Sequence, residues 1–448
     1  MPAARSPIAA GSFAARLLLR LTAMRRAPTR RARPLVVLTS LALLLLLLAP
    51  GLAAAGLKDK ITAALAHYGM GGSGTSVAVY DLTAKRSVYQ LRQDELRLPA
   101  SNEKLVTSAT ALARWTAAFR FSTQLFIDAP GPDAGGIVDG DVYLRGLGDP
   151  TLSTASFQSS HYRMETGDIH DFVTGLQDLG VTRISGRVVA DDGYFDAVRS
   201  VTTWRPSMTA YCGPLSALTL NESFASGGGY VADPALAAAG ALTKQLRAAG
   251  IRVAHAPVRG VAPITATLAY TERSARLSRV LAAMNKPSDN FLAEELLKGL
   301  GAGLGAGGTT IAGADVAEQF LRDIGVSDGF RIRDGSGLSY KDKLTSRTVL
   351  KILGAMALRP DFAVFRRSLA IAGVDGTLKG RMRGTAAAGN VRAKTGTLNA
   401  ASSLSGYVTT ASGHTLSFSM LMNGDPVPIS RAHAAQDAVA VLLARSTP

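Results

Sequence analysis

The sequence predicts an α+β fold in which a helix-and-sheet domain is interrupted by a β-rich inserted domain. Three observations carry this expectation. Ser76 to Tyr80 alternates apolar and polar residues, and after the turn-like Asp81 to Lys85 the alternation resumes from Arg86 to Leu91, the pattern of a half-buried hairpin. Far along the chain, Ser403 to Thr410 and Thr415 to Met422 read as a second strand pair joined at Ser412-Gly413. Between Ile127 and about Val261 the texture changes to short β-like runs such as Val138 to Leu144 and Ile184 to Ala190, broken by Gly-Asp and Asp-Asp-Gly turns. The two strand pairs are expected to share one antiparallel sheet, with the insertion looped out between them.

Taken in order, residues 1–55 read as an export signal. The first 33 residues hold eight arginines and no acidic residue, Leu43 to Leu48 is an unbroken leucine run, and Ala53-Ala54-Ala55 supplies small residues for cleavage. The apolar run is shorter than the roughly 20 residues of a bilayer span; retention as an uncleaved anchor is the competing reading. Residues 56–127 form the first part of the main domain. A helix starts at Ser101 and carries the stripe Leu105, Ser108, Leu112 and Trp115. Residues 128–265 are the insertion, with room for two subdomains, and residues 266–448 complete the main domain. Helical pattern returns at Leu277 to Met284 and Phe291 to Leu300, and a final helix spans Ile429 to Leu443. Gly299 to Gly313 lacks the G-K-[ST] ending of a phosphate loop and reads as a flexible surface loop.

Charge excludes more than it assigns. The formal net charge is +16, yet without residues 1–55 there remain 41 basic and 33 acidic residues, a net of +8. That surplus suits anionic wall polymers or peripheral contact with a membrane surface, and no basic-aromatic pattern points to nucleic acid. Cys212 is the single cysteine, so no intramolecular disulfide forms, and it reads as a small buried hydrophobe. The six histidines show no metal-ligand spacing, and neither a metal nor another cofactor is expected.

The chemistry lies in three short motifs, each the sole match to its pattern. Ser101-Asn102-Glu103-Lys104 is the one place where a serine stands three residues before a lysine, Ser288-Asp289-Asn290 the one where a serine stands two before an asparagine, and Lys394-Thr395-Gly396 occurs once. On a helix Lys104 falls one turn beyond Ser101 and reaches its hydroxyl. A serine becomes a nucleophile when a neighbouring base takes its proton, and a lysine is such a base only with a lowered pKa. Burial could lower it, or the cation of Lys394. After Pro287, Ser288 and Asn290 can pass a proton to a leaving amine and hold both the lysine and the substrate backbone. Taken alone, this motif equally suits a capped helix start. Lys394, Thr395 and Thr397 on an edge strand would offer charge and hydroxyls to a carboxylate, and Gly396 would let a peptide approach the backbone. Substrate would then bind as an added strand, with the N–H groups of Ser101 and Thr397 as the oxyanion hole.

With these motifs, and with Gly148-Asp149-Pro150-Thr151-Leu152, Asp334 to Ser339, Asp375 to Leu378 and Lys394 to Tyr407, the chain resembles the penicillin-recognising serine acyl transferases. Within them it is similar to the D-alanyl-D-alanine carboxypeptidase/endopeptidase family of low-molecular-mass penicillin-binding proteins. The resemblance implies a β-lactamase/transpeptidase-like domain with helices on both faces of the sheet. It implies an acyl-enzyme on Ser101, with Lys104 as base, Ser288 and Asn290 as proton shuttle and organiser, and Lys394, Thr395 and Thr397 as carboxylate clamp and oxyanion wall. The partners it implies are peptidoglycan stem peptides ending in D-Ala-D-Ala and β-lactam antibiotics.

One departure bears on specificity. Family members that read the free end of a diaminopimelate side chain use an acidic residue in the insertion, in a loop that matches Trp204 to Tyr211; here Ser207 stands at that place. Two competing readings remain. A serine β-lactamase would need a carboxylate to bring water to the acyl-enzyme, for which Asn221-Glu222 is the nearest suggestion, and rapid penicillin turnover would favour it. A non-catalytic wall-binding scaffold would fail to label with penicillin.

Overall fold

The computed structural model describes residues 56–128 and 130–447; the expected export signal lies outside them. Its centre is a six-stranded antiparallel sheet in the order Ala370–Ile371, Arg392–Leu398, Ala401–Thr409, Thr415–Asn423, Thr75–Asp81, Arg86–Leu91. The first strand of the N-terminal hairpin pairs with the last strand of the chain, Thr75 opposite Met422 and Asp81 opposite Leu416. This is the shared sheet the alternation predicts. Side chains alternate between two apolar layers. Val77, Val79, Phe418, Met420 and Met422 meet the terminal helices Leu57–His67 and Ile429–Arg445 through Ile61, Leu65, Val439 and Leu443. Tyr407 and Leu421 face the other way, into a core built with helices Glu103–Arg114, Leu277–Asn285, Asn290–Leu304 and Ser346–Ala357.

Helix Glu103–Arg114 is the centre of that second core. The sequence shows one apolar stripe, but every residue from Glu103 to Leu112 is buried. Each fully buried leucine, such as Leu105 and Leu112, contributes about 1.5–3 kcal/mol.

Ser122–Ile127 and Thr267–Arg273, which flank the inserted region in sequence, pair antiparallel with each other. The chain therefore leaves and rejoins the larger core at one place, with Phe121 and Ala275 in that core and Leu125 in another. The five-stranded sheet continues through Val142–Gly146, Val188–Asp191 and Val258–Arg259, the last three in parallel. Parallel neighbours need crossovers. Helices Asp171–Asp178 and Pro234–Ala248 supply them, beyond the strands that the sequence reading names.

Two expectations are corrected. The runs Val138 to Leu144 and Ile184 to Ala190 are not single strands. Each switches from a three-stranded parallel ribbon, Ile137–Val138, Arg183–Ile184 and Arg252–Val253, to the five-stranded sheet. Gly140 sits at one corner with φ 138°, and a Cβ there would collide with the Asp128 carboxylate. The second correction concerns Gly299 to Gly313, which is helix packing and not a flexible loop. Helices Asn290–Leu304 and Thr310–Asp323 are joined by a short turn capped by Thr309, whose Oγ1 accepts from Ala312 N at 3.0 Å. At Gly313 any Cβ would fall on the Leu297 carbonyl, so glycine lets the two helices close together.

Candidate active site

The chain enters helix Glu103–Arg114 through Ala100, whose φ of 46° is unusual outside glycine, and one 3-10 turn, Ala100–Asn102. Ser101 lies on that turn and Lys104 one turn further along. Lys104 Nζ is 3.2 Å from Ser101 Oγ, 2.7 Å from Asn290 Oδ1 and 2.8 Å from the Ser336 carbonyl. An ammonium has three N–H groups and fills all three partners. A neutral amine keeps the two carbonyl partners and turns its lone pair to the Ser101 hydroxyl. Burial lowers the Lys104 pKa to about 8, against the opposing pull of Asp289, Asp334 and Glu294. Both states are therefore within reach near neutral pH.

The second motif divides its labour. Asp289 is the helix cap, with Oδ1 accepting from Leu292 N at 2.8 Å. Ser288 and Asn290 flank it on either side. Asn290 accepts from Lys104 and donates Nδ2 to the Tyr211 carbonyl at 2.9 Å. Ser288 has a φ of 71° and makes no side-chain hydrogen bond among the described residues. Direct hydrogen bonds thus unite Ser101, Lys104 and Asn290, and do not include Ser288.

The third motif lies on Arg392–Leu398. Ala370–Ile371 pairs only with Ala393 and Arg392, so from Lys394 onward the outer edge has no strand partner among the described residues. Asn102 ties this strand to the nucleophile's turn, donating Nδ2 to the Lys394 carbonyl at 3.1 Å and to Ser403 Oγ at 2.7 Å. Ser403 in turn donates to the Pro99 carbonyl at 2.7 Å. A Cβ at Gly396 would strike Ser403 Oγ and come within 2.8 Å of Ser101 N. The bare backbone at this position is what lets the strand lie against the nucleophile.

Lys394 is 0% exposed, and Nζ reaches the Thr395 carbonyl at 2.9 Å. Burial, and then the charge of Lys104, push its pKa well below the usual lysine value. Burial is the main cause of the Lys104 shift as well. No carboxylate pairs with Lys394 among the described residues, and Thr397 is exposed on the same edge.

The sequence marks Asp334 to Ser339 and Asp375 to Leu378 by resemblance alone and gives no role to the groups that hold this assembly. Glu294, one helical turn beyond Asn290, accepts from Gly335 N at 3.1 Å and Ser336 N at 2.8 Å, aiming the Ser336 carbonyl at Lys104. Asp334 accepts from Ser339 N and Trp204 Nε1, each at 2.7 Å. Thr377 N donates to the Lys286 carbonyl at 2.9 Å, while Thr395 Oγ1 donates to Thr377 Oγ1 at 2.7 Å. The Asp375 to Leu378 turn therefore bridges the second and third motifs. The four-residue step from Asn290 to Glu294 was a signal available in the sequence, but the carbonyl of Ser336 left none.

Ser207 lies exposed in the 3-10 turn Pro206–Tyr211, away from these hydrogen bonds; that turn meets the site through the Tyr211 carbonyl. Its neighbour Arg205 stacks on the Tyr340 ring, 3.5 Å from the centroid.

A model of the D-Ala-D-Ala carboxypeptidase 3 (S13) family matches residues 57–227 and 223–446. The D-alanyl-D-alanine carboxypeptidase of Actinomadura sp. (strain R39) is 33% identical, over 94% of this chain and 91% of that protein. The carboxypeptidase DacB of Mycolicibacterium smegmatis is 30% identical, over 77% of this chain and 75% of that protein. Among solved structures, penicillin binding protein 4 (dacB) from Haemophilus influenzae is similar in fold, with a TM-score of 0.71 and 20% identity, covering 86% of this chain and 99% of that one. The same protein complexed with a β-lactam gives a TM-score of 0.65 and 22% identity, covering 85% and 98%. The helices on both faces of the antiparallel sheet, the serine-lysine-asparagine cluster and these similarities have one conclusion: the chain belongs to the D-Ala-D-Ala carboxypeptidase 3 (S13) family.

Proposed function

We propose that this serine D-Ala-D-Ala carboxypeptidase, with a capacity for endopeptidase cleavage, works on peptidoglycan stem peptides through an acyl-enzyme on Ser101. The observation that carries the reading is the position of Lys104 Nζ between Ser101 Oγ, Asn290 Oδ1 and the Ser336 carbonyl, beside an open strand edge that begins at Lys394. A stem peptide lies along that edge as an added strand. Its terminal carboxylate meets Thr395 and Thr397, and it supplies the counter-charge that Lys394 lacks. Neutral Lys104 takes the Ser101 proton as Oγ attacks the carbonyl before the terminal D-alanine. The oxyanion faces the N–H groups of Ser101 and Thr397. Collapse expels the D-alanine amine, which receives its proton from Lys104 by way of Ser288. Water then releases the shortened peptide and restores Ser101. A β-lactam presents the same carbonyl and carboxylate and acylates the same oxygen.

Residues 1–55 are proposed to direct export to the extracytoplasmic side, with peripheral membrane contact through the remaining positive charge. No helix among the described residues is long and apolar enough to cross a membrane. The test is incubation of purified protein with a pentapeptide wall fragment and with a cross-linked dimer, products being identified by mass. Loss of one D-alanine, abolished in Ser101→Ala, is expected. Intact substrate together with an absence of covalent penicillin labelling would overturn the reading in favour of a scaffold, and rapid penicillin hydrolysis in favour of a β-lactamase.

A further inference from the structure

Three side chains that are distant in sequence converge beside the second motif: His161, Glu222 and Asp289. One ligand atom from each lies within 4.8 Å of the other two. His161 lies in the short turn Gln158–Tyr162, its ring stacked on Phe157 with centroids 4.5 Å apart. Asp289 keeps acceptor capacity after its one cap bond to Leu292, since an ionised carboxylate offers about four lone-pair sites.

Glu222 is the telling member. It is 2% exposed, and the one partner its Oε1 has among the described residues is His161 Nε2 at 3.3 Å, an ion pair only while the imidazole is protonated. A buried carboxylate needs a positive partner, which a protonated His161 or a bound cation can supply. The backbone that holds it there is itself strained: Asn221, Glu222 and Ser223 have φ of 53°, 52° and 63°, three consecutive left-handed residues without a glycine. Such runs persist where the surroundings over-determine them, commonly at ligand sites. No arginine or lysine pairs with Glu222 or Asp289 among the described residues, although Arg163, Arg279 and Lys286 line the adjoining cavity of about 460 Å³; Lys286 is engaged by Asp375.

From this convergence we propose that His161, Glu222 and Asp289 form a binding site for a divalent cation of the zinc class. His161 Nε2 and Glu222 Oε1 are 3.3 Å apart. Two ligands on one tetrahedral ion, each bonded at about 2.0–2.2 Å, stand roughly that far apart. One imidazole and two carboxylates suit zinc, whereas calcium takes six to eight oxygens and magnesium keeps several waters. Three protein ligands leave a fourth position for water on the cavity side. The ion would fasten Gln158–Tyr162 and the Asn221–Ser223 turn to the loop that presents Ser288 and Asn290. Histidine spacing along the sequence gives no hint of such a site, because each ligand comes from a different segment.

The test reads metal binding directly and so is independent of the peptidase reading. Chelator-stripped protein is titrated with Zn²⁺ against a chromophoric chelator, with Co²⁺ absorption as the geometric probe. The expected result is one tight equivalent, a visible Co²⁺ spectrum of tetrahedral intensity, and a rise in Tm on adding zinc. His161→Gln and Glu222→Gln should each weaken binding at least tenfold and abolish that rise. His161 is half-exposed, so its variant should fold, and penicillin labelling checks folding in both. Absence of a stoichiometric equivalent would overturn the proposal. So would wild-type affinity in a folded His161→Gln protein.

Discussion

At the scale of the residue, everything turns on one buried amine. Lys104 is held by two fixed carbonyl oxygens, Asn290 Oδ1 and that of Ser336, and by the hydroxyl it must deprotonate. Burial lowers its pKa from the usual lysine value to about 8, so the charged form dominates below that pH and the base form above it. In the proposed mechanism acylation requires the base form. The second-order rate of acylation by a penicillin should therefore climb about tenfold per pH unit below pH 8 and level off above it. Lys104→Arg keeps the charge but cannot lose a proton. It should run about 10²–10⁴-fold slower and show no such rise. Stopped-flow acylation from pH 6 to 9.5 measures both, and a flat wild-type profile would remove Lys104 from the role of base.

At the scale of the element, the catalytic turn and the edge strand are fitted to each other through backbone. Gly396→Ala places a methyl against Ser403 Oγ and Ser101 N, so the strand must move away from the nucleophile. Labelling by a fluorescent penicillin should slow by at least about tenfold, the cost of roughly 1.4 kcal/mol in the barrier. Adding Ser403→Ala should restore only part of the rate, because the contact with Ser101 N remains; full restoration would assign the effect to the hydroxyl alone. Lys394 lies buried on the same strand. An amidated D-Ala-D-Ala peptide should be a much poorer substrate than the free acid for wild type, and Lys394→Ala should narrow the gap in kcat/KM. Equal discrimination in both proteins would count against the clamp. The elements near this edge were legible because period-two alternation marked Thr75–Asp81 and Arg86–Leu91, and the Ser412-Gly413 turn marked Ala401–Thr409 and Thr415–Asn423 as a pair. The crossover helix Pro234–Ala248 escaped notice despite an Asp233 cap and a proline at its start, since its alanine-rich face gives a shallow apolar stripe. Gly299 to Gly313 was misread because glycine in sequence signals freedom, whereas here it is the price of close helix contact. Likewise, uniqueness of the three motifs exposed Ser101, Lys104 and Asn290. The Ser336 carbonyl was invisible because a main-chain oxygen belongs to every residue.

At the scale of the whole molecule, the inserted region reaches the site through a few contacts on one face. The Tyr211 carbonyl accepts from Asn290, Thr203 Oγ1 lies 3.0 Å from Ser339 Oγ, and Arg205 stacks on Tyr340. From Trp204 to Tyr211 this face carries Ser207 and a cation, and no carboxylate. If the donor's third residue reaches this turn, as the proposed reading has it, a free ammonium would find no opposite charge here and would meet the cation of Arg205. Donors with a free diaminopimelate amine should therefore gain little over acetyl-blocked donors in wild type. Ser207 is exposed, so Ser207→Asp should fold normally. One charge-assisted hydrogen bond contributes about 1.5–3 kcal/mol, and the new carboxylate should raise the preference for free over blocked donors by about tenfold or more. The measurement is the ratio of kcat/KM for the two donors in both proteins. A strong free-amine preference in the unaltered protein would place the reading of that end on another residue of the cleft, and an unchanged ratio in Ser207→Asp would show that the turn does not face the donor's side chain.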